Sequence, residues 1–426
     1  MATQHHHDRR PDPITVLGRG RHPLPPGDAD LLSTATLVVG ARRHLESAPV
    51  AAAARRIVLG PLAPALDAIA EEAARDGGRT VVLASGDPGF FGIVRALAER
   101  FGADRLEVRP DTSSVAEAFA RLGLPWDDAV VVSAHGRAPQ AAFNVCRAHR
   151  KTAVLTAPGA GPAELAAELL RTPDLERRLV VASDLGGPGE RVEEVDPAEA
   201  AARRWPAVNL VLCLGPSDRP GPMRTLAGAG GAPAGWALPE TAFEHRDSMV
   251  TKAEVRALVL ARLGPRLGEL VWDVGAGSGS VAVECARFGA AVIAVEQAAD
   301  GAARVRANAR AHGVDVSVVH GRAPQALAPL PDPDAVFVGG GGSDLPAVVT
   351  ACAARARRTV VVTLAALDRV PAVREALHAA GMASDGVLLQ SSRLAPLPGG
   401  VSRLAAVNPV FVLWGHRPAR DGEAQP

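Results

Sequence analysis

Short apolar runs, each closed by glycine, proline or polar residues, recur along the 426-residue chain. The first, Ile14-Thr15-Val16-Leu17, ends in Gly18-Arg19-Gly20 and predicts a strand with its turn. Further runs predict strands at Thr36 to Val39, Val81 to Ala84, Ala129 to Ser133, Ala153 to Thr156, Leu179 to Ala182 and Leu210 to Leu214, mostly with helical stretches between them. The rhythm then lapses: Ser217 to Gly235 is rich in Gly, Pro and Ala without apolar periodicity and reads as a linker. It restarts with a helix from Lys252 to Leu263 and a strand from Leu270 to Val274. A helix over Val281 to Arg287, a strand over Ala291 to Val295 and a helix over Gly301 to His312 follow, then strands at Val316 to His320, Ala335 to Val338 and Thr359 to Thr363. Strands alternating with helices predict an α/β chain built on mostly parallel, doubly wound sheets. No internal repeat relates the halves, so two unlike units are expected: a tail over 1–13, a domain over 14–217, a linker over 218–236, a domain over 237–417 and a tail over 418–426.

Composition narrows the field. Apolar residues make up 47% and charged residues 22%, the balance of a globular protein, and the net charge of zero provides no field for nonspecific nucleic-acid binding. Nucleic acid is not expected as a partner. The cysteines Cys146, Cys213, Cys285 and Cys352 stand singly, without metal-ligand spacing, and read as buried apolar residues; no metal site is expected. The run His5 to His7 reads as an inert leader. No signal peptide is recognised and no apolar run reaches the roughly 18 to 20 residues of a membrane span, so a cytoplasmic enzyme without a membrane partner is expected, forming homo-oligomers. Lysine occurs only at Lys151 and Lys252, so arginine is the default cation and single arginines say little.

Candidate chemistry concentrates in Val271-Trp272-Asp273-Val274-Gly275-Ala276-Gly277-Ser278-Gly279-Ser280, between a predicted strand and a predicted helix. Glycines there permit a tight turn and close approach of backbone to ligand. Glu296 ends the next strand, seventeen residues beyond Gly279, where a carboxylate can accept from both hydroxyls of a ribose. That spacing alone fits a nicotinamide dinucleotide as well as S-adenosylmethionine. Asp273 ahead of the glycines favours S-adenosylmethionine, whose cationic aminoacyl end suits a carboxylate and which carries no pyrophosphate for the helix N-terminus.

Several further segments carry a resemblance. Met249 to Arg256, the glycine turn, Gly321-Arg322-Ala323-Pro324, Phe337 to Gly340 and Asn408-Pro409-Val410 stand in the order found in corrin-pathway methyltransferases that methylate carbon 15 and decarboxylate the ring C acetate. The first half resembles the tetrapyrrole methylases, and among them the carbon-5 methylases. The segments concerned are Leu37 to Leu45, Ser85-Gly86-Asp87-Pro88-Gly89, Ser113-Ser114, Val132 to Arg137, Leu155 to Gly159 and Asn209 to Val211. The resemblance implies a two-lobed tetrapyrrole methylase fold joined to a C-terminal Rossmann-like class I methyltransferase domain. It implies that Thr251, Asp273, Gly275, Ala276, Gly277, Ser278, Gly279, Glu296, Arg322 and Ala323 surround one S-adenosylmethionine, with Gly86, Asp87, Pro88 and Thr156 lining the cleft for another. Thr251 also reads as a helix N-cap. The Gly86 turn is expected to present free amides and an outward Asp87 carboxylate.

The implied reaction adds methyl groups at carbons 5 and 15 of precorrin-6B and releases carbon dioxide, giving precorrin-8X. A cobalt-containing precorrin is an alternative substrate. A nicotinamide-dependent oxidoreductase of the same pathway and a nonenzymatic tetrapyrrole binder are the rival classes. Arg256, Arg393 and Arg403 are candidate anchors for the carboxylates of the macrocycle; His44 and His135 read as structural.

Overall fold

The computed structural model describes residues 12–20, 23–216, 227–228, 233, 235–246, 250–340 and 342–418. The histidine leader, Arg21, His22, most of the expected linker, Met249, Gly341 and residues 419–426 lie outside them.

Strands β1 (Ile14–Arg19), β2 (Leu37–Gly40), β3 (Arg55–Val58), β4 (Thr80–Ser85) and β5 (Leu106–Arg109) form a parallel sheet in the order β3-β2-β4-β1-β5. A second sheet joins β6 (Val130–Ser133), β7 (Lys151–Leu155), β8 (Arg178–Ser183), β9 (Arg191–Val195) and β10 (Asn209–Leu214) in the order β6-β7-β10-β8-β9. The third comprises β11 (Leu270–Val274), β12 (Ala291–Glu296), β13 (Ser317–His320), β14 (Ala335–Val338), β15 (Thr359–Leu364), β16 (Ala383–Pro396) and β17 (Ser402–His416), ordered β13-β12-β11-β14-β15-β17-β16. Its first five strands run parallel; β17 pairs antiparallel with both β15 and β16.

Every strand expected from an apolar run is present, within two residues of the expected limits. The strands the pattern did not announce, β3, β5, β9, β16 and β17, lie at or next to sheet edges, where one side is open and the apolar signal is weak. The β16–β17 hairpin extends beyond its sheet and exposes Leu394 (77%) and Leu404 (67%).

Parallel strands covered on both faces bury alternate residues in two separate cores. Leu270, Trp272 and Val274 enter one core with Val348, Val349 and Leu377. Val271 enters the other, with Val281, Ala282 and Cys285 of the helix Ser280–Arg287. The same alternation turns Asp273 toward that helix. All four cysteines are buried and free, as their isolation in the sequence implied.

The chain divides into two compact units. One takes the described residues up to Trp126 with Val181–Glu193 and Pro206–Leu210; the other takes Asp127–Val180, Glu194–Trp205 and the described residues from Val211 onward. Within the second unit, Asp315 pairs with Arg150 at 2.7 Å and Arg177 at 3.0 Å, and Asn144 Nδ2 donates to Gly268 O at 3.0 Å. Burial alone would raise the Asp315 pKa, but the two guanidinium groups hold it below the ordinary carboxylate range. No helix among the described residues is long and apolar enough to cross a membrane.

Candidate active sites

In the third sheet the chain leaves β11 toward β12 and leaves β14 toward β15, on the opposite side, so the loops after these neighbours diverge. Ligands bind doubly wound sheets at this switch point, beyond the carboxyl ends of the strands. The loop after β11 is the glycine turn. Gly275, Gly277 and Gly279 all have positive φ, a conformation that side-chain-bearing residues rarely adopt. Their reasons differ: a Cβ on Gly279 would collide with Val305 at 2.8 Å, and one on Gly275 would lie 3.0 Å from the Gly340 amide, whereas one on Gly277 would meet open space. Gly279 serves packing, Gly275 lets the loops after β11 and β14 close on each other, and Gly277 bares backbone.

The carboxylates hold this loop. Glu296, 8% exposed, accepts from Gly277 N and Ala298 N, each at 2.8 Å, and each oxygen keeps a further lone pair. Asp273, 1% exposed, accepts from Ala282 N at 2.9 Å through Oδ2, while Oδ1 has no hydrogen-bond partner. Burial pushes its pKa up to about 7; the Ala282 amide opposes the shift and the charge of Glu296 adds to it. A buried carboxylate with one orphaned oxygen beside a bare backbone turn fits a ligand carrying a cation at one end, so the residues present suit S-adenosylmethionine.

The other expected contacts are distributed around this centre. Gly321 N donates to Glu296 O at 2.9 Å, which brings the Arg322-Ala323 turn beside Glu296. Ala323 packs on the core and Arg322 extends to Asp344 at 2.6 Å, tying the loop after β13 to the one after β14. Ser278, 3% exposed, gives its carbonyl to Asn308 Nδ2 at 2.8 Å. Asn308 also bonds Glu244 through both its donor and its acceptor, fastening the turn to the 238–246 segment. Sequence reading missed Asn308; the available signal was an amide on the apolar face of the helix Ala299–Ala311.

Three expectations need correction. Thr251 does not cap the helix Ala253–Leu263: Lys252 holds the cap position, and the free Ala253 amide donates to Glu240 Oε1 at 3.1 Å. Arg256 is not a substrate anchor. It is wholly buried, 3.2 Å from an equally buried Glu284 and stacked over Phe243, because its position on the helix faces the core. Arg393 is engaged by Glu240 at 2.7 Å and Glu254 at 2.6 Å.

The first sheet brings the loops after β1 and β4 together differently. β1 leads past β4 to β2 and β4 leads past β1 to β5, so the connections after these neighbours cross instead of diverging. Gly86, at φ +56°, donates to Arg19 O at 2.9 Å and accepts from Asp111 N at 3.1 Å. A Cβ on Gly18 would lie 2.2 Å from Gly86 O. The expected free amides and outward carboxylate are corrected here as well: Asp87 Oδ1 turns back to accept from Gly89 N at 2.8 Å, the local bond an Asp at a turn readily makes. Pro88 is buried, with Gly92 packed against its carbonyl. Gly86, Asp87 and Pro88 belong to the first unit; Thr156, 6% exposed, follows β7 in the second.

Comparison with known proteins gives these two turns a context. Residues 20–201 match the family model described as Tetrapyrrole (Corrin/Porphyrin) Methylases, and residues 241–413 match Precorrin methyltransferase domain. A Sinorhizobium protein named precorrin-6Y C(5,15)-methyltransferase [decarboxylating] is 38% identical over 78% of this chain and 79% of its own. The chain belongs to that family. Two shorter relatives each align with 42% of the chain. A Pyrobaculum calidifontis protein named probable cobalt-precorrin-6B C(15)-methyltransferase (decarboxylating) is 36% identical over 95% of its length. A Salmonella typhimurium protein named cobalt-precorrin-7 C(5)-methyltransferase is 34% identical over 88% of its length. Membership makes the chain a C-methyltransferase and implies use of S-adenosylmethionine.

Proposed function

We propose that the chain methylates carbons 5 and 15 of precorrin-6B and decarboxylates its ring C acetate, giving precorrin-8X, with two molecules of S-adenosylmethionine as methyl donors. The reading is supported above all by the glycine turn, which lies inside the precorrin methyltransferase match with Asp273 Oδ1 orphaned and Glu296 braced beside it. The work is divided between a carbon-5 module over 14–217 and a carbon-15 and decarboxylating module over 237–417.

When bound, S-adenosylmethionine supplies an electrophilic methyl group on a sulfonium. In the second module Asp273 receives the cationic aminoacyl end and Glu296 the ribose hydroxyls, with Gly275 to Gly279, Thr251, Arg322 and Ala323 around them. Gly86, Asp87, Pro88 and Thr156 serve the first module. The meso carbons of the macrocycle are enamine-like and electron-rich, so the chain's task is chiefly to orient them, and orientation accounts for a large share of such rates. Loss of the acetate carboxylate is eased where it is poorly solvated and the protonated macrocycle accepts the electron pair.

Mass analysis of the product from precorrin-6B and S-adenosylmethionine tests the reading. Two added methyl groups and one lost carbon dioxide are expected; an unmethylated macrocycle would overturn it. Calorimetry should show heat with S-adenosylmethionine and none with NADPH, and the reverse would favour the oxidoreductase.

A further inference from the structure

At the carboxyl edge of the first sheet, Arg19 ends β1 directly beside Ser85, the end of β4. Arg43 reaches across from the helix Arg42–Ser47 that follows β2: its Nη2 donates to Ser85 Oγ at 2.8 Å and its Nε to His44 Nε2 at 3.2 Å. An arginine nitrogen can only donate, so His44 Nε2 is the acceptor and the neutral ring carries its hydrogen on Nδ1. His44 is 8% exposed and is held neutral, its pKa lowered to about 4 by burial and then by the charges of Arg43 and Arg19. Its Nδ1 and Arg19 Nε are both buried and meet no acceptor.

The described residues around this charge do not balance it. Among the described residues no carboxylate pairs with Arg19 or Arg43, and the two acids on the adjoining loops are occupied by backbone amides. Asp87 takes Gly89 N; Asp111 takes Gly20 N at 2.8 Å and Thr112 N at 2.7 Å. Two guanidinium groups and an imidazole N–H, grouped at the carboxyl edge of the sheet without an anion among the described residues, call for an acceptor that brings its own negative charge.

We propose that Arg19, Arg43 and His44 form a clamp for one peripheral carboxylate of the tetrapyrrole and so position the macrocycle for methylation at carbon 5. This rests on the tetrapyrrole reading above. Ser85 fixes the exposed Arg43 guanidinium, and the buried His44 serves as a neutral donor, which keeps a third positive charge away from the two arginines. Arg19 and Arg43 bind substrate by charge, and His44 adds its Nδ1 hydrogen while its Nε2 positions Arg43.

The test uses the full chain with precorrin-6B and S-adenosylmethionine, following each methylation by mass. Arg43→Gln and Arg19→Gln should each raise KM for the tetrapyrrole in the carbon-5 step by about 10- to 100-fold, the span of one lost charged hydrogen bond. kcat for that step, the carbon-15 step and S-adenosylmethionine affinity by calorimetry should change less than about threefold. Arg43→Lys, which keeps the charge but loses the planar fork, should fall between and stands in should Arg43→Gln not fold. A wild-type KM in folded variants overturns the clamp alone. A wild-type chain that methylates no tetrapyrrole overturns the functional reading and the clamp with it.

Discussion

The turns after β4 and β11 both lie at the carboxyl end of an inner parallel strand, the one where neighbouring connections cross and the other where they part. They are built by opposite means. After β11, acids hold the turn from beneath: Asp273 and Glu296 are buried, and one Asp273 oxygen is left without a partner. After β4, the backbone is stitched directly, Gly86 bonding the chain on both sides, and the half-buried Asp87 is spent on its own turn. The unsatisfied groups beside this second turn are donors, the Arg19 guanidinium and the neutral His44 imidazole. An orphaned group costs free energy in the protein alone and reports the charge of what completes it. The turn after β11 asks for a cation, the edge near β4 for an anion.

Removing the orphaned acid should have the largest effect. Asp273→Ala should weaken S-adenosylmethionine binding at the second site by about 100-fold, since it removes a desolvated charge that meets the cationic end of the ligand. Calorimetry on the full chain should show one site lost and one kept; equal loss at both would erase the distinction between the turns. Glu296→Ala should cost about 2 kcal/mol at the same site, through the ribose and through release of the Gly277 and Ala298 amides.

Acidity sharpens the comparison further. With a folded pKa near 7, Asp273 is mostly protonated at pH 6 and mostly ionised at pH 8. The proton it retains above the ordinary value of 3.8 stabilises the ligand-free fold below pH 7, and that contribution is lost as pH rises through 7. A cationic ligand selects the ionised form, so affinity at this site should rise by about tenfold from pH 6 to pH 8. Asp273→Asn should flatten the titration, and a site whose affinity falls over this range would contradict the assignment. The smallest effect is expected at the other turn. Asp87→Ala removes one local amide bond and should slow carbon-5 methylation about fivefold while sparing carbon 15 and decarboxylation, read from product masses.

Much of the architecture was legible because inner parallel strands are buried on both faces and leave unbroken apolar runs; β11, β12 and β14 are entirely buried. β16 and β17 gave no such signal, with long stretches outside the core and side chains alternating toward solvent. The glycine turn was legible for a similar reason, since positive φ at Gly275, Gly277 and Gly279 leaves its mark in residue type.

What the sequence determined by itself was therefore what local backbone and burial impose: the inner strands, the helices between them, the turn that must be glycine and the acids that flank it. Which arginine does what was decided only by the tertiary structure. Arg256, Arg393, Arg19 and Arg43 look alike in a chain where arginine is nearly the only cation, yet one is buried on Glu284, one is held by Glu240 and Glu254, and two have no carboxylate partner among the described residues. A charge acquires its role from the acid that folding places beside it or withholds, and those acids lie 28, 153 and 139 positions away along the chain, beyond the reach of any local pattern.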